Sequence, residues 1–96
     1  MTAYQSERDA ALVFANLLRA RLGKKPVKRL AKGRPAEDES CPLARTVDLH
    51  GKVCAGTREA TINEKGRLRT YSYPHLVTMF VKHVDAGLLP DLELKQ

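Results

Sequence analysis

The sequence feature that most constrains the fold of this chain is a single strongly basic stretch. Residues 19–35 carry eight lysines and arginines and no acidic residue, and two glycines and two prolines interrupt them. Such a linker-like tract is a poor source of hydrophobic core, because its like charges repel each other and glycine and proline break regular elements. The rest of the chain has nine basic and eleven acidic residues, so the net charge of +6 comes entirely from this basic tract. The core must come from the segments before and after it.

The length of 96 residues predicts one small domain, residues 1–96. The hydrophobic share of 43% and the charged share of 29% are typical of a globular protein. A domain of this size buries only about 60% of its unfolded surface, so a homodimer or a complex with a host protein is open as a way to complete the core. No apolar run approaches the roughly 18 residues that span a bilayer, and the N-terminus has no signal-peptide pattern. We therefore expect a cytoplasmic protein that does not enter a membrane.

Helix signals lie before, within and after the basic tract. We predict a first helix that begins near Glu7, is capped by Ser6 and ends at Gly23. Its apolar residues recur at helical spacing and predict one buried stripe: Ala10, Val13, Phe14, Leu17, Leu18 and Leu22. A short helix is predicted over residues 26–33, where proline comes first and glycine last. Another is predicted over residues 40–47, with the serine at its start as the cap.

After Gly51 the residue types change to those that favour strands. A hairpin of two strands is predicted over residues 52–73, because residues 63–66, Asn-Glu-Lys-Gly, have the asparagine and the glycine of a type I turn. A helix follows that ends at Gly87, and its predicted apolar stripe comprises Leu76, Val77, Phe80, Val81 and Val84. The apolar tail, residues 88–94, is expected to fold back on the core or to contact another subunit.

These elements predict an α+β fold in which the first and last helices pack on the hairpin, because a lone hairpin is unstable without such cover. The alternative is a winged-helix variant, in which three helices precede the hairpin wing. In that variant the helix that ends at Val47 offers Arg45 and little else to the base edges of DNA. The first arrangement is therefore favoured.

Part of the chain resembles a group of small uncharacterised proteins of actinobacteria and their phages. The resemblance rests on Ser-Cys-Pro-Leu-Ala-Arg at residues 40–45, on the hairpin, and on a helix that ends Val-Asp-Ala-Gly-Leu-Leu-Pro-Asp-Leu at residues 84–92. It covers about residues 40–92 and leaves out the first helix and the basic tract. It implies a small accessory or regulatory factor of an actinobacterium or a phage, and it implies no catalytic residues.

Clustered lysines and arginines attract phosphates, so the basic tract predicts binding to DNA or RNA. Two other interpretations stay open: the tract is a solvated linker, or it binds an acidic protein. In the second strand, arginines at 67 and 69 and tyrosines at 71 and 73 alternate, and they would share one face that pairs phosphates and stacks bases. The other interpretation packs both tyrosines under the last helix. The candidate nucleic-acid contacts are Arg19, Arg21, Lys24, Lys25, Lys28, Arg29, Lys32, Arg34, Arg67, Arg69 and Tyr71.

No enzyme, metal site or cofactor is predicted. The potential zinc ligands include no Cys-x-x-Cys pair and are widely spread: Cys41, His50, Cys54, His75 and His83. Cys41 begins a predicted helix, whose dipole favours a thiolate, but the acids at 37–39 oppose this and no histidine partner is apparent. Both cysteines are therefore expected to be free thiols.

The predicted function is that of a non-enzymatic regulatory protein that binds nucleic acid through the basic tract. The alternative is an interaction factor whose apolar tail, residues 88–94, or whose first helix docks on a host protein or on a second copy. In that case the basic tract only keeps the protein soluble.

Overall fold

The fold is α+β, as predicted, with three helices and a small antiparallel sheet. The computed structural model describes residues 3–49 and 53–94. In chain order the elements are α1 (Gln5–Arg21), α2 (Pro42–Val47), β1 (Cys54–Ala55), β2 (Glu59–Glu64), β3 (Arg67–Ser72), α3 (His75–Asp85) and a 3-10 turn (Pro90–Leu92). Buried apolar side chains from the helices, the sheet and the C-terminal tail form one cluster. Within the described ranges no helix has the length and apolar character that crossing a membrane requires.

Helix α1 ends as predicted but buries a narrower stripe. Gly23 follows it in the left-handed conformation (φ 73°), whereas the cap at its start is Tyr4 and not Ser6. Its buried residues are Ala11, Phe14, Ala15 and Leu18. The predicted core positions Val13 and Leu17 are instead 62% and 60% exposed. The two alanines on the buried stripe let neighbouring elements approach the helix closely, which leaves the larger residues beside them outside the core.

The predicted helix over residues 26–33 is wrong, because this segment has no regular secondary structure apart from one bridge. The side chain of Asn16 on α1 accepts a hydrogen bond from the Val27 N–H at 2.9 Å and donates to its carbonyl at 3.0 Å. The Ala31 N–H donates to Thr46 Oγ1 on α2 at 2.8 Å. In a local helix the Ala31 N–H would donate to the Val27 carbonyl, but side chains of the neighbouring helices bind both of these groups instead.

Helix α2 forms where predicted, but its cap is Cys41 and not Ser40. The Cys41 Sγ accepts a hydrogen bond from the Ala44 N–H at 3.4 Å. All six residues of the helix are buried except Arg45, which is half-buried. The winged-helix alternative is wrong, because among the described residues two helices precede the sheet and not the three that it requires.

The predicted two-stranded hairpin is a three-stranded sheet in the order β1-β2-β3, and its expected first residue, Lys52, lies outside the described residues. The first predicted strand divides at Gly56, whose N–H donates to the Glu59 carbonyl at 2.9 Å, so β1 and β2 form a second small hairpin. Strands β2 and β3 pair across the predicted turn. There Lys65 and Gly66 both have positive φ, which is typical of a type I′ turn and not of the predicted type I. The type I′ turn matches the right-handed twist of the flanking strands.

Helix α3 carries the predicted core stripe. It buries Val77, Phe80, Val81 and Val84, whereas Leu76 in its first turn is 42% exposed. Gly87 follows the helix in the left-handed conformation (φ 78°), as predicted. The helix therefore forms one wall of the core against α1.

The apolar tail folds back on the core, which was one of the two expectations for it. Leu89 and Leu92 are buried. Asp91 forms a two-pronged ion pair with Arg8 of α1, at 2.7 and 3.0 Å, and this contact lowers the pKa of the Asp91 carboxyl. Gly33 of the basic tract forms a short parallel bridge with the residue after the 3-10 turn. The C-terminal tail is thereby paired with the basic tract through its backbone.

Candidate nucleic-acid interface

The basic tract is tied to the rest of the fold along its length. From α1, the Arg19 Nε donates to the Lys25 carbonyl at 2.7 Å, and its Nη1 donates to the Val47 carbonyl at 2.9 Å. From α2, the Arg45 Nε donates to the Lys32 carbonyl at 2.7 Å. Arg19 therefore has a structural role, because its side chain joins the tract to the end of α2. These hydrogen bonds fix the backbone of the tract.

Most of the other cations in the tract face solvent. Lys24 pairs with Asp48 at 3.2 Å, and Arg34 lies 4.0 Å from Glu37. Within the part of the chain that the structure describes, no acidic side chain forms an ion pair with the exposed cations between them, which are Lys25, Lys28, Arg29 and Lys32. These four side chains present positive charge to solvent, although the charge of Lys32 also acts on the Asp91 carboxylate.

A hollow of about 400 Å³ opens between the basic tract and α2. Its lining residues are Arg19, Lys24, Val27, Arg29, Ala31, Arg45, Thr46, Asp48 and Leu49. Four cations from α1, the tract and α2 thus face one carboxylate. Sequence reasoning missed Arg45 as a member of this group, because it lies outside the basic tract and only the packing of α2 brings it there.

The β3 residues of the candidate site lie on the covered face of the sheet. The register pairs Arg69 with Ile62 and Tyr71 with Ala60, and both of these β2 residues are buried. Arg69 and the neighbouring Arg67 nevertheless reach solvent, because β3 lies at an edge of the sheet. The strand offers two arginines at an edge, which differs from the predicted open face of arginines and tyrosines.

Tyr73 is partly buried and packs against the hydrophobic core. Its ring meets that of Phe14 edge to face, with 5.3 Å between the centroids, and its hydroxyl donates to the Gly56 carbonyl at 2.9 Å. Burial raises the pKa of the Tyr73 hydroxyl. The structural interpretation of this tyrosine is therefore correct, with the difference that its aromatic contact is on α1 and not on the last helix.

Tyr71 is half-buried and connects α1 to the sheet. Its hydroxyl donates to the Glu64 carboxylate, and this hydrogen bond raises the pKa of Tyr71. The guanidinium of Arg21 lies over its ring, 5.9 Å from the centroid. Arg21 therefore points towards the sheet, while Arg19, two residues earlier, points towards the tract and α2.

The candidate metal ligands are dispersed. Among residues 3–49 and 53–94, no three histidine, cysteine or acidic side chains lie close enough to hold an ion together. His83 Nδ1 lies 2.6 Å from Glu7 Oε1 and its ring is 4.5 Å from that of Tyr4, so this histidine joins α3 to the start of α1. His75 is exposed, and His50 lies outside the described residues.

Both described cysteines are free thiols with suppressed ionisation. Burial raises the pKa of the Cys41 thiol, although N–H groups at the start of α2 act in the opposite direction. Partial burial and the nearby Asp38 raise the pKa of the exposed Cys54. Since the thiolate is the nucleophilic form, these surroundings disfavour the reactive state of both residues.

The two thiols should differ sharply in accessibility. We expect one equivalent of a thiol reagent such as DTNB to react with the native protein, at Cys54, and a second to react only in denaturant, at Cys41, because Cys41 is 6% exposed. The Cys54→Ser variant is the control, since it should show no reactive thiol until it unfolds. Two fast equivalents in the native protein, or fewer than two in denaturant, would contradict this prediction.

Comparisons of the chain with known protein families, with curated proteins and with solved structures found no match.

Proposed function

We propose that this protein is a non-enzymatic regulatory factor that binds nucleic acid through its basic tract. The observation that carries the proposal is a backbone fixed by neighbouring helices together with exposed cations that form no ion pair with an acidic side chain among the described residues. The resemblance of residues 40–92 to small proteins of actinobacteria and their phages fits a regulatory role, and the proposal keeps the expectation that the protein acts in the cytoplasm.

Anchoring of the tract favours binding for a thermodynamic reason. A disordered basic linker has to be ordered when it binds, and that ordering costs free energy. Here Asn16, Arg19, Arg45 and Thr46 already hold the backbone of the tract in the folded protein. The cost of ordering on binding is correspondingly smaller, and counterion release from the phosphates supplies the driving force.

The edge of the sheet is proposed as a secondary contact. Arg67 and Arg69 are exposed there, so they can add phosphate contacts beyond those of the tract. Tyr71 contributes by holding Arg21 and Glu64 in place, because its ring and its hydroxyl are engaged with them. Phosphate contacts of this kind position a nucleic acid without reading its sequence.

A second candidate function is supported by the exposed side of α1. Val13 and Leu17 lie one helical turn apart and are both largely exposed, which suits contact with a host protein or a second copy. The tail is a weaker docking element than its sequence predicts, because Leu89 and Leu92 are already buried in the core. A protein that sediments as a dimer and binds no nucleic acid would favour this second function.

Removing cations from the tract should lower both affinity and salt dependence. We expect the Lys25→Ala, Lys28→Ala double variant to bind random duplex DNA more weakly, and the slope of log K against log salt to fall by about 2, since each phosphate contact contributes about 0.9. The measurement is fluorescence anisotropy over a salt titration. The matched control is the Arg58→Ala, Lys82→Ala double variant, which loses the same charge from exposed positions outside the tract. Equal slopes for the two double variants and the parent would mean that the tract is only a solvated segment.

A further inference from the structure

The hollow between the basic tract and α2 has features that exposed charge alone does not have. Its cationic lining comes from three different elements, with Arg19 on α1, Arg29 in the tract and Arg45 on α2. Its volume of about 400 Å³ lies in the range of pockets that take small ligands. Convergence of arginines on one concave space is what recognition of a single anionic group requires.

Arg45 is held in an orientation suited to such a group. Its Nε is bound to the Lys32 carbonyl at 2.7 Å, and the side chain is half-buried. Among the described residues, none accepts a hydrogen bond from its two terminal amino groups. With the Nε anchored, these amino groups form a fork whose direction is fixed before a ligand arrives.

The negative groups in the wall of the hollow are already compensated. The Asp48 carboxylate pairs with Lys24 at 3.2 Å. The carbonyl at the C-terminal end of α2, on Val47, accepts a hydrogen bond from Arg19 at 2.9 Å. Among the described residues, Arg29 and Arg45 are therefore the two cations of the hollow that neither form an ion pair nor donate a hydrogen bond to a carbonyl at the end of α2.

We propose that this hollow binds one phosphate group between the guanidinium groups of Arg29 and Arg45. The inference rests on the proposed function for the source of the phosphate, which is the backbone of a bound nucleic acid. Planar guanidinium forks match the tetrahedral oxygens of a phosphate and form charge-assisted hydrogen bonds that are stronger than a general ionic contact. Apolar side chains of Val27, Ala31 and Leu49 complete the wall and reduce access of water to these bonds.

The decisive comparison is between two neighbouring cations of the tract. Lys28 and Arg29 are both exposed, but only Arg29 lines the hollow. We expect Arg29→Gln to weaken binding of a random duplex about tenfold, whereas Lys28→Gln should weaken it only about twofold, because a forked phosphate contact in the hollow is lost in the first case and a single exposed ammonium contact in the second. Anisotropy with duplex DNA, single-stranded DNA and single-stranded RNA measures both variants at the same salt concentration.

A second pair of variants tests the fork on α2. Arg45→Lys keeps the charge but removes the planar fork, and it should lose most of the affinity that Arg45→Gln loses. Thermal unfolding of each variant shows whether it is folded, and if either Arg45 variant is unfolded the comparison of Arg29 with Lys28 decides alone. Inorganic pyrophosphate, followed through the amide NMR signals of Ala31 and Leu49, tests the hollow without a nucleic acid.

The outcomes separate this inference from the proposed function. If the parent binds nucleic acid and Arg29→Gln loses no more than Lys28→Gln, the hollow is not a phosphate site although the proposed function stands. If the parent binds no nucleic acid but pyrophosphate shifts those amide signals, the hollow is a site for small phosphate compounds and the proposed function fails. Binding of polyglutamate in preference to every phosphate ligand, or binding of no anion at all, would overturn both.

Discussion

Truncation of Phe80 to alanine should remove about 3 to 5 kcal/mol from the free energy of unfolding. Phe80 is 1% exposed and lies at the middle of α3, whose buried side packs against α1. Loss of its ring removes apolar contacts and leaves a cavity that the surrounding helices and sheet can fill only in part. Domains have a free energy of unfolding of about 5 to 15 kcal/mol, and small domains lie at the low end of this range. The Phe80→Ala variant should therefore lose most of its stability and show no cooperative unfolding transition.

The measurement is thermal and urea unfolding followed by circular dichroism. The matched control is Leu76→Ala on the same helix, because Leu76 is 42% exposed and its truncation should cost much less. If Phe80→Ala unfolds cooperatively close to the parent midpoint, or if Leu76→Ala is the more damaging change, the assignment of the buried face of α3 is wrong.

A methyl group added at Gly33 should be nearly as damaging, with a cost of about 3 kcal/mol or more, at or above the top of the usual range for overpacking. A Cβ at this position would lie 2.4 Å from both the carbonyl carbon of Cys41 and the nitrogen of Pro42. These are backbone atoms at the start of α2, so no side chain can rotate away to make room. The Gly33 N–H also donates to the Leu92 carbonyl at 2.8 Å, and the Leu94 N–H donates to the Gly33 carbonyl at 2.9 Å.

Gly33 therefore joins the basic tract, the entry to α2 and the tail, and Gly33→Ala should disturb all three. Gly23→Ala is the control, because Gly23 has a positive φ but no atom within 4 Å of an added Cβ. It should cost only about 1 to 2 kcal/mol, which is the strain of a left-handed alanine. Denaturant unfolding of both variants gives the comparison. If Gly33→Ala is no less stable than Gly23→Ala, the close approach of the tract to α2 is not present in solution.

Stability and anion binding are coupled in the basic tract, which contains Gly33 and the exposed cations. The side chain of Asn16 and the bridge at Gly33 hold the backbone of the tract against the core, while the side chains of Lys28 and Arg29 are exposed. A change that detaches the backbone should therefore weaken anion binding without removing any charge. Gly33→Ala is expected to lower the affinity for duplex DNA at temperatures where it is still folded, and the charge variants are expected to lower it without loss of stability.

The sequence by itself determined the elements that depend on local signals. The left-handed glycines that end α1 and α3, Gly23 and Gly87, were identifiable because no other residue adopts that conformation without strain. The turn between β2 and β3 follows from asparagine and glycine at fixed positions. The buried stripe around Phe80 follows from helical periodicity in a segment that is mostly apolar.

Only the tertiary structure decided how residues 26–33 run and which side chains face the hollow. Proline first and glycine last favour a local helix, but the hydrogen bonds from Asn16 and Thr46 to Val27 and Ala31 depend on where α1 and α2 pack, and this is absent from local sequence. The same holds for the β3 arginines, since the alternation of a strand shows which residues share a face and not which face the helices cover. Arg45 joins the cations of the tract for the same reason: its separation in sequence from Arg29 gives no hint of their proximity, which comes from packing around one shared core.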